Sequence, residues 1–516
     1  MSDETTTTPG WRRFTPRNIL ILGTILVTIC WFGIRIDTGH RNMATASAVA
    51  LTYVLLMIWF GLRAKMPAHR RWSIVITMFA PLLVLDIKGC QGDLTPIIGL
   101  RWQPKQDYLL AKKIELPKTT ASDVDLTKTT PQDYPRFLGP DGTARLSGVK
   151  LERDWGKFPP QEVWRRKIGA GWSSFAVVGD FVVTQEQRGD DEAVTCYRLS
   201  TGEPVWMHTD PDRQDTPLGG VGPQATPTVD RGVVYTYGSV RWLNALDGAT
   251  GKPIWTIDVV KEFNAVQPDW GRSCSPLIVG DTVVVSIGGD SQALAAFDRL
   301  TGKLVWKAAS GKPSYASPIM AKFGGVQQIV MLHQTSVTGH DPVDGHVLWT
   351  YDWPGIGMKV CQPIALDEKR LVVASGYGYG AKLLEVTKDG ETWKVDTRWE
   401  STQLNPKFMN PIVVGEYLYG LDDGVAMTCL DLATGKRTWK KGRYGHGQLL
   451  LAGELFIVQS EPGDVLLVEP NPKELREVAK FSPLSDRTWN NPVLVGEYLL
   501  VRNDREAACY RLKVAP

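Results

Sequence analysis

The chain changes character near residue 90. Before that point long apolar runs alternate with basic clusters, whereas after it short β-branched runs alternate with Gly, Asp and Trp. The runs over residues 19–34 and 43–62 have about the length that a helix needs to cross roughly 30 Å of hydrocarbon. A third run, over residues 72–85, is shorter and contains Pro81. The pattern therefore predicts a membrane region over residues 1–90 with about three transmembrane helices.

Basic residues near these runs predict the topology. Arginines precede the first run, and a cluster of basic residues separates the second run from the third: Arg12, Arg13, Arg17, Arg63, Lys65, Arg70 and Arg71. Because basic residues near span ends stay in the cytoplasm, the amino terminus and the second loop are expected inside. Three crossings then place the rest of the chain on the periplasmic side of an inner membrane. If residues 72–87 do not span, the body is cytoplasmic instead.

Residues 91–150 separate the apolar region from the remainder of the chain. This stretch includes "LPKTTASDVDLTKTTPQDYP", which is polar, rich in Thr and Pro and without sustained periodicity. We predict an extended linker here, followed by a folded domain over residues 151–516.

A turn followed by a tryptophan, as in "DLATGKRTW" at residues 431–439, recurs through this domain. The successive tryptophans lie 42 to 51 residues apart, which is the period of one propeller blade. They are Trp164, Trp206, Trp255, Trp306, Trp349, Trp393 and Trp439. Eight tight turns between apolar runs, beginning near residues 177, 229, 278, 322, 366, 413, 451 and 494, give a second count. With about four strands per unit, the domain is predicted to be all-β, an eight-bladed β-propeller with four-stranded blades.

The turn chemistry explains the repeated motif. Asp431 can accept backbone N–H bonds across the turn, and Gly435 supplies a positive φ. The outer strand then presents Trp439, whose ring covers about 150–250 Å² when it packs on the neighbouring blade. We interpret the repeated tryptophans as structural docking residues; a surface for stacking sugars or bases is the alternative.

The two ends of the domain predict how the ring closes. The last unit ends at "AACYRLKVAP" without room for an outer strand, whereas "QEVWRRKIG" at residues 161–169 is an outer-type strand without a unit before it. We therefore expect this first strand to complete the last blade, which removes exposed sheet edges.

These repeats resemble the PQQ-like propeller repeats of quinoprotein alcohol dehydrogenases and of the outer-membrane assembly lipoprotein BamB. More narrowly, "DYPRFLGPDG", "SGYGYGAKLLEV" and "RTWNNPVLVGEYLLVRNDREAACYRL" are similar to membrane-anchored PQQ-like propellers of planctomycete-type bacteria. The BamB-like resemblance implies contacts with other envelope proteins. The dehydrogenase resemblance implies PQQ and Ca²⁺ in the central funnel, below a disulfide between adjacent cysteines.

The net charge, the cysteine positions and the Gly-rich segment argue against several kinds of partner and cofactor site. The net charge is +3 with the charges interspersed, so nucleic acid is not an expected partner. The seven cysteines are far apart, so the sequence has neither the adjacent pair of the quinoproteins nor a haem or zinc motif. "SGYGYG" lacks the helix and Lys-Ser/Thr ending of a phosphate loop.

The residues before each predicted inner strand are mostly Ser, Gly, Pro and amides, which suit backbones packed around an axis and provide few carboxylates for Ca²⁺. We predict no catalytic residue, no metal ligand and no cofactor; PQQ with Ca²⁺ belongs to the dehydrogenase alternative alone. A polar ligand mouth at the funnel would be formed by Trp172, Trp270, Arg272, His333, Lys359, Asn410, His446, Trp489 and Asn490.

The preferred interpretation is a membrane-anchored, extracytoplasmic propeller that binds or scaffolds other envelope proteins, with the lipid bilayer as a second partner of its helices. A PQQ-dependent dehydrogenase of alcohols or sugars is the first alternative. A ligand-sensing propeller is the second.

Overall fold

The structure is a computed structural model that describes residues 15–33, 38–62, 64–110, 124–355 and 357–514. It consists of two compact units, one up to residue 103 and one from residue 104 onwards. The predicted boundary near residue 90 is therefore shifted, because residues 91–103 belong to the first unit. The first fourteen residues, which include Arg12 and Arg13, and the loop residue Arg63 lie outside the described residues.

The first unit is helical and ends in a short hairpin. Its helices are α1 (Pro16–Gly33), α2 (Thr38–Leu62) and α3 (Ala68–Val84), and its antiparallel strands are Leu85–Cys90 and Pro96–Leu100. Windows of α1 and α2 have mean hydropathies of 1.5 and 1.9, and their side chains are mostly exposed, so both helices are long and apolar enough to cross a membrane. α3 is shorter, with 17 residues, and contains Pro81.

The second unit is a ring of eight antiparallel sheets, which we call blades 1 to 8 in chain order. The strands of blades 1 and 2 are Ala176–Val178, Phe181–Arg188, Asp191–Arg198 and Pro204–Asp210, then Thr228–Asp230, Val233–Tyr237, Trp242–Asp247 and Pro253–Asp258. Those of blades 3 and 4 are Leu277–Val279, Thr282–Ser286, Leu294–Asp298 and Leu304–Ala308, then Ile319–Phe323, Val326–Leu332, Ser336–His340 and Val347–Asp352.

Blades 5 to 8 follow the same order, with the first strand innermost. The strands of blades 5 and 6 are Ile364–Ala365, Arg370–Ser375, Gly380–Asp389 and Thr392–Ser401, then Ile412–Val414, Tyr417–Asp422, Ala426–Asp431 and Arg437–Lys441. Those of blades 7 and 8 are Gln448–Ala452, Leu455–Gln459, Val465–Glu469 and Arg476–Phe481, then Val493–Val495, Tyr498–Arg502, Glu506–Arg511 and Gln161–Lys167. The predicted eight-bladed propeller with four-stranded blades is confirmed.

Closure of the ring follows the prediction as well. The strand Gln161–Lys167 pairs antiparallel with Glu506–Arg511, so the start of the domain supplies the outer strand of the last blade. In this pairing Trp164 lies opposite Cys509, and the register shifts immediately beyond Cys509.

The same local geometry recurs in all eight blades. A residue of the third strand faces a residue of the outer strand, and a β-bulge follows at once, as between Cys196 and Tyr197 opposite Trp206. The outer-strand residue at this point is a tryptophan in seven blades and Ala479 in blade 7. The bulge thus fixes where each indole projects from the sheet.

Most of these indoles dock on the next blade. Trp206 donates its Nε1–H to the carbonyl of Gly248 at 2.9 Å, and its side chain is buried. Gly251 in the same turn has φ +69, and a Cβ at this position would lie 2.4 Å from the ring of Trp206. Glycine is therefore required in the turn both by its backbone conformation and by the close approach of the indole.

Blade 5 requires a correction to the predicted docking residues. Trp393 lies opposite Lys388, near the tip of a long hairpin, whereas Trp399 occupies the bulge position and donates to the carbonyl of Leu432 at 2.7 Å. The outer hairpin of blade 5 is longer than the others, so counting from the turn selected the wrong tryptophan. Trp349 occupies the bulge position of blade 4, but it donates to Gln328 Oε1 within its own blade.

The predicted linker is largely part of the propeller. We call residues 133–158 the strap. Tyr134 forms a β-bridge with Val177 of blade 1, and the strand Arg145–Leu146 pairs in parallel with the inner strand of blade 7. Trp155 packs edge-on against Phe481, at 5.2 Å between ring centroids. The strap lacks sequence periodicity because it lies on the blades as an irregular segment instead of forming a sheet of its own.

Candidate functional site

Two cavities lie along the inner strands, and the strap separates them. The smaller, about 100 Å³, lies at the loops that precede the inner strands; we call it the mouth. The larger, about 480 Å³, lies between the strap and the inner strands of blades 3 to 6; we call it the lower cavity. Phe137 of the strap and Asn410 line both cavities. The channel is thus divided by a segment of the chain itself.

The mouth is aromatic. Trp172 and Trp489 lie 4.7 Å apart between ring centroids, and Phe408 lies 4.9 Å from Trp489. On the other side Trp270 lies 5.3 Å from Tyr315. Of the predicted residues, the structure brings Trp172, Trp270, Asn410 and Trp489 together at the mouth, because the loops before the inner strands converge there.

The indoles of Trp172 and Trp489 are each held by a polar contact. Trp172 donates to the carbonyl of Gly219 at 2.8 Å, and Trp489 donates to Glu461 Oε1, also at 2.8 Å. The guanidinium of Arg487 stacks on both rings, at 4.8 Å from Trp172 and 4.6 Å from Trp489. The aromatic lining is therefore a fixed arrangement.

His446 belongs to the support of the mouth. Its backbone N–H donates to Glu461 Oε2 at 2.9 Å, its Nδ1 lies 3.3 Å from the same oxygen, and its ring packs on Phe408. The imidazole is buried, and Gly424 lies directly against it. Within the described residues, no Ser or Cys side chain is hydrogen-bonded to this imidazole. Its contacts are those of a positioning residue.

Asn490 joins the last blade to the first. Its amide donates to the carbonyls of Gly171 and Ser173, at 3.1 and 2.8 Å, and the side chain is fully buried. The neighbouring Asn491 lines the mouth instead. Sequence reasoning therefore selected the correct dipeptide but not the residue that faces the cavity.

Three further predicted residues do not line the mouth. Arg272 is buried and donates to the carbonyls of Val240 and Ile287, at 3.0 and 3.4 Å. His333 is buried with its Nε2 2.9 Å from Thr338 Oγ1, and burial lowers its pKa to about 3, so it is neutral at physiological pH. Both residues satisfy polar groups inside the ring.

Lys359 is the third of these residues. Its Nζ donates to the carbonyl of Gln334 at 2.8 Å and lies 4.4 Å from the ring centroid of Tyr379 and 5.1 Å from that of Trp353. Burial, assisted by the nearby charge of Lys382, lowers the pKa of Lys359 to about 8. The side chain is fully buried, so its role is to join blades 4 and 5.

The Ser, Thr and amide residues before the inner strands form a belt around the channel. In each described link, a backbone N–H of one blade donates to the side-chain oxygen of the corresponding residue in the next blade. The links are Ser174 to Thr226 (3.1 Å), Thr226 to Ser275 (2.9 Å), Ser275 to Ser317 (2.9 Å) and Gln362 to Asn410 (2.6 Å). These hydrogen bonds hold neighbouring blades together, which explains why Ser, Thr and amide residues precede the inner strands.

The mouth does not fit PQQ with Ca²⁺. Among the described residues that line it there is no carboxylate to ligate Ca²⁺ and no Lys or Arg to pair with the carboxylates of PQQ. Its volume of about 100 Å³ lies below the roughly 300 Å³ at which ligand pockets begin. The cysteines of the propeller are buried free thiols at distant positions.

One group of metal-ligand type occurs elsewhere among the described residues. Asp341, Asp344 and His346 lie within ligand distance of one another on an exposed hairpin of blade 4. His346 Nδ1 is 2.8 Å from Asp344 Oδ1, so these side chains already bond to each other.

Several residues of the mouth were missed by sequence reasoning. Tyr315 and Phe408 stand in the loops "SYASP" and "KFMNP" beside residues that were considered, and aligning the eight strand starts would have shown their aromatic position. Glu461 and Arg487 come from other loops, and no local signal in the sequence links them to the tryptophans.

Comparisons with known proteins agree with this architecture. The family model described as outer membrane protein assembly factor BamB matches residues 190–441 and 333–475. The BamB of Shewanella oneidensis is 26% identical over 297 residues, which cover 54% of this chain and 71% of that protein. The quinoprotein ethanol dehydrogenase of Pseudomonas aeruginosa is 28% identical over 166 residues, 28% of this chain and only 25% of the enzyme.

Solved structures show the same fold. The crystal structure of BamB from Moraxella catarrhalis superimposes with a TM-score of 0.50 and 17% identity, covering 69% of this chain and 98% of that chain. A europium-containing methanol dehydrogenase superimposes with a TM-score of 0.51 and 14% identity, covering 73% and 90%. Since the family model matches more than half of the residues, this chain belongs to the PQQ-like propeller family of the outer membrane protein assembly factor BamB.

Proposed function

We propose that this protein is a membrane-anchored scaffold of the cell envelope, whose propeller stands on the periplasmic side of an inner membrane and binds other envelope proteins. The observation that carries the proposal is how the polar groups and the space of the central channel are used. Its polar groups are used in contacts between blades, and the strap fills part of its length. The ring thus offers a rigid outer surface and loops, which suit protein binding.

The relatives support the same class of function. The family model and the Shewanella oneidensis protein carry the description of an assembly factor for outer membrane proteins. The match to the Shewanella oneidensis protein covers 71% of that protein. The matches to three quinoprotein dehydrogenases cover only 22 to 25% of each enzyme.

The placement of the propeller depends on α3. At about 1.5 Å per residue its 17 residues extend about 25 Å, close to the hydrocarbon thickness that thinning and snorkelling accommodate. Arg70 and Arg71 at its start favour a cytoplasmic entry. A reporter that is active only in the periplasm is fused after the last residue, and we expect this fusion to be active. An inactive fusion would mean that α3 does not span and would contradict the proposed placement.

Site-specific photo-crosslinking tests the scaffold role directly. A photoreactive amino acid is introduced into the full chain, in native membranes, at one exposed outer-strand position per blade, with a position in α2 as the lipid-facing control. We expect neighbouring propeller positions to give an adduct with one and the same envelope protein, and α2 to give none with it. If no position of the propeller yields a defined protein adduct, the scaffold role is wrong.

The dehydrogenase alternative is tested with the purified full chain. PQQ and CaCl₂ are added, and bound quinone absorbance and dye reduction by alcohols or sugars are measured. Because the lining of the mouth has no groups that match this cofactor, we expect neither signal. Stoichiometric bound quinone together with dye reduction would overturn the scaffold proposal.

A further inference from the structure

Exposed apolar side chains are concentrated on one part of the outer edge of the ring. Among the described residues from 124 onwards, nine large apolar side chains are exposed, and six of them lie on blades 2 to 4. We call these six the apolar rim: Ile254, Leu300, Leu304, Val305, Val343 and Val347. Val343 is the most exposed, at 80%. Monomeric propeller surfaces do not require such a cluster, so it indicates an interaction surface.

The docking contacts join the blades that carry the rim. Trp255, next to Ile254, donates to the carbonyl of Arg299, which precedes Leu300. Trp306, next to Val305, donates to the carbonyl of Pro342, which precedes Val343. Each docked indole therefore joins the outer strand of one blade to the turn that carries the apolar residue of the next.

Comparison between blades shows that the fold itself does not demand these side chains. The position of Leu300 and Val343 in the turn is occupied in blades 1, 2 and 6 by Ser200, Ala249 and Ala433. The position of Leu304 and Val347, two before the tryptophan, is Arg437 in blade 6 and Glu162 in blade 8. Identical backbone positions accept small or charged residues elsewhere, so the apolar character of blades 3 and 4 requires another explanation.

The charges beside the rim are divided between its two ends. Lys252, Lys303 and Lys307 lie on blades 2 and 3, are exposed, and have no carboxylate partner within the described chain. Asp341, Asp344 and Asp352 lie on blade 4, and Asp344 and Asp352 are exposed. Asp281 on blade 3 is also exposed, but it is paired with Arg299 and Arg231. The lysines therefore leave blades 2 and 3 basic beside the strip, whereas blade 4 presents Asp344 and Asp352.

We infer that the apolar rim binds a second copy of this chain. A two-fold axis between blades 3 and 4 places the lysines of one protomer against the aspartates of the other, twice, with the apolar residues packed between them. A purely anionic lipid surface fits less well, because Asp344 would face it beside the most exposed apolar residue. This surface is separate from the scaffold role, which does not depend on it.

Reciprocal charge reversal tests the dimer on the full chain in nanodiscs. One variant carries Lys303→Glu and Lys307→Glu, and the other carries Asp344→Lys and Asp352→Lys. We expect the parent chain to give the mass of two chains by light scattering, and each variant alone to dissociate with a dissociation constant raised at least about tenfold by like-charge contacts. Mixed in equal amounts, the two variants are expected to form a heterodimer, because both contacts then pair opposite charges.

A matched control keeps the test specific. Lys436→Glu with Lys441→Glu on blade 6 lowers the net charge as much as Lys303→Glu with Lys307→Glu does, and we expect it to leave the dimer intact. Unchanged thermal unfolding checks the fold of every variant. A monomeric parent chain, a dimer that survives both reversals, or reversed variants that fail to pair in the mixture would each overturn the inference. A dimer that survives both reversals would point to the helices or to a different face of the ring.

Discussion

Blade 1 has two buried glutamates, one at its contact with blade 8 and one at its contact with blade 2. The two glutamates differ in charge. Toward blade 8, Glu186 accepts hydrogen bonds from Arg188, Thr195 and Tyr197 at 2.6 to 3.0 Å. Burial acts to raise the pKa of Glu186, but Arg188 and these hydrogen bonds outweigh it and the pKa is lowered, so the carboxylate is ionised.

Toward blade 2, no cation among the described residues pairs with Glu192. Both of its oxygens accept from the backbone N–H of Ser239, at 3.0 and 3.1 Å. Burial, with smaller contributions from Asp212 and Asp210, raises the pKa of Glu192 to about 8, although the bonds from Ser239 oppose the shift. At neutral pH this glutamate is largely protonated.

The difference follows from how the two seams are made. Blades 1 and 2 are consecutive in the chain, so a neutral acid and the docked Trp206 suffice. Blades 8 and 1 join opposite ends of the domain, and there Arg502, fully buried, donates to Thr184 Oγ1 at 2.7 Å and to the carbonyls of Gln185 and Gly169 at 3.1 and 3.0 Å. Directional charged bonds therefore fix the register of the closing seam.

Replacing the buried guanidinium should have the largest effect. Arg502→Met leaves Thr184 Oγ1 and the carbonyls of Gln185 and Gly169 without their buried donor, and we expect a loss of about 5 kcal/mol in the free energy of unfolding. Thermal unfolding followed by tryptophan fluorescence measures it. Arg511→Met, at an exposed site that pairs with Glu497, is the control and should change little. Equal effects of the two substitutions would contradict the special role of the closing seam.

Removal of a docking indole should cost less. Trp206→Ala creates a cavity between blades 1 and 2 and is expected to lower the free energy of unfolding by about 3 kcal/mol. Trp393→Ala, outside the bulge position, should cost below about 1 kcal/mol, and the same thermal measurement compares the two. A larger loss at Trp393 would show that the docking position in blade 5 has been misassigned.

The smallest predicted effect is a pH dependence of the seam between blades 1 and 2. The pKa of Glu192 is higher in the folded chain than in the unfolded chain, so folding takes up a proton. The contribution of Glu192 to the free energy of unfolding therefore falls as pH rises from about 4.5 to 8. We expect Glu192→Gln to flatten the decline by roughly 2 kcal/mol between pH 5 and 7. Denaturant unfolding at several pH values measures it, and an unchanged slope would mean that Glu192 is ionised in the folded protein.

The contrast also shows what the sequence could predict. Turns, indoles and strand alternation repeat locally, so the eight blades and the closing strand at Trp164 were predictable. Trp399 was missed because a longer hairpin moved the bulge away from the turn. The pairing of the strap with blade 7 and the contacts of Arg502 join segments more than 300 residues apart, and no periodic pattern records such contacts.

The candidate site was predictable only in part. Trp172, Trp270 and Trp489 were recognisable because they precede inner strands, and the structure places all three at the mouth. Arg272, His333 and Lys359 were indistinguishable from ligand-binding residues in the sequence, since a buried polar side chain is explained only by the carbonyls and rings that surround it in the folded chain.

Hydrogen exchange at the closing strand tests the central claim most directly. We predict that the amides of Gln161–Lys167 that bond to Glu506–Arg511 exchange as slowly as the amides of Glu506–Arg511 that bond to them, and that Arg502→Met accelerates exchange in both sets together. Rapid exchange of these paired amides of Gln161–Lys167 beside a protected Glu506–Arg511 would show that the ring is not closed by its first strand.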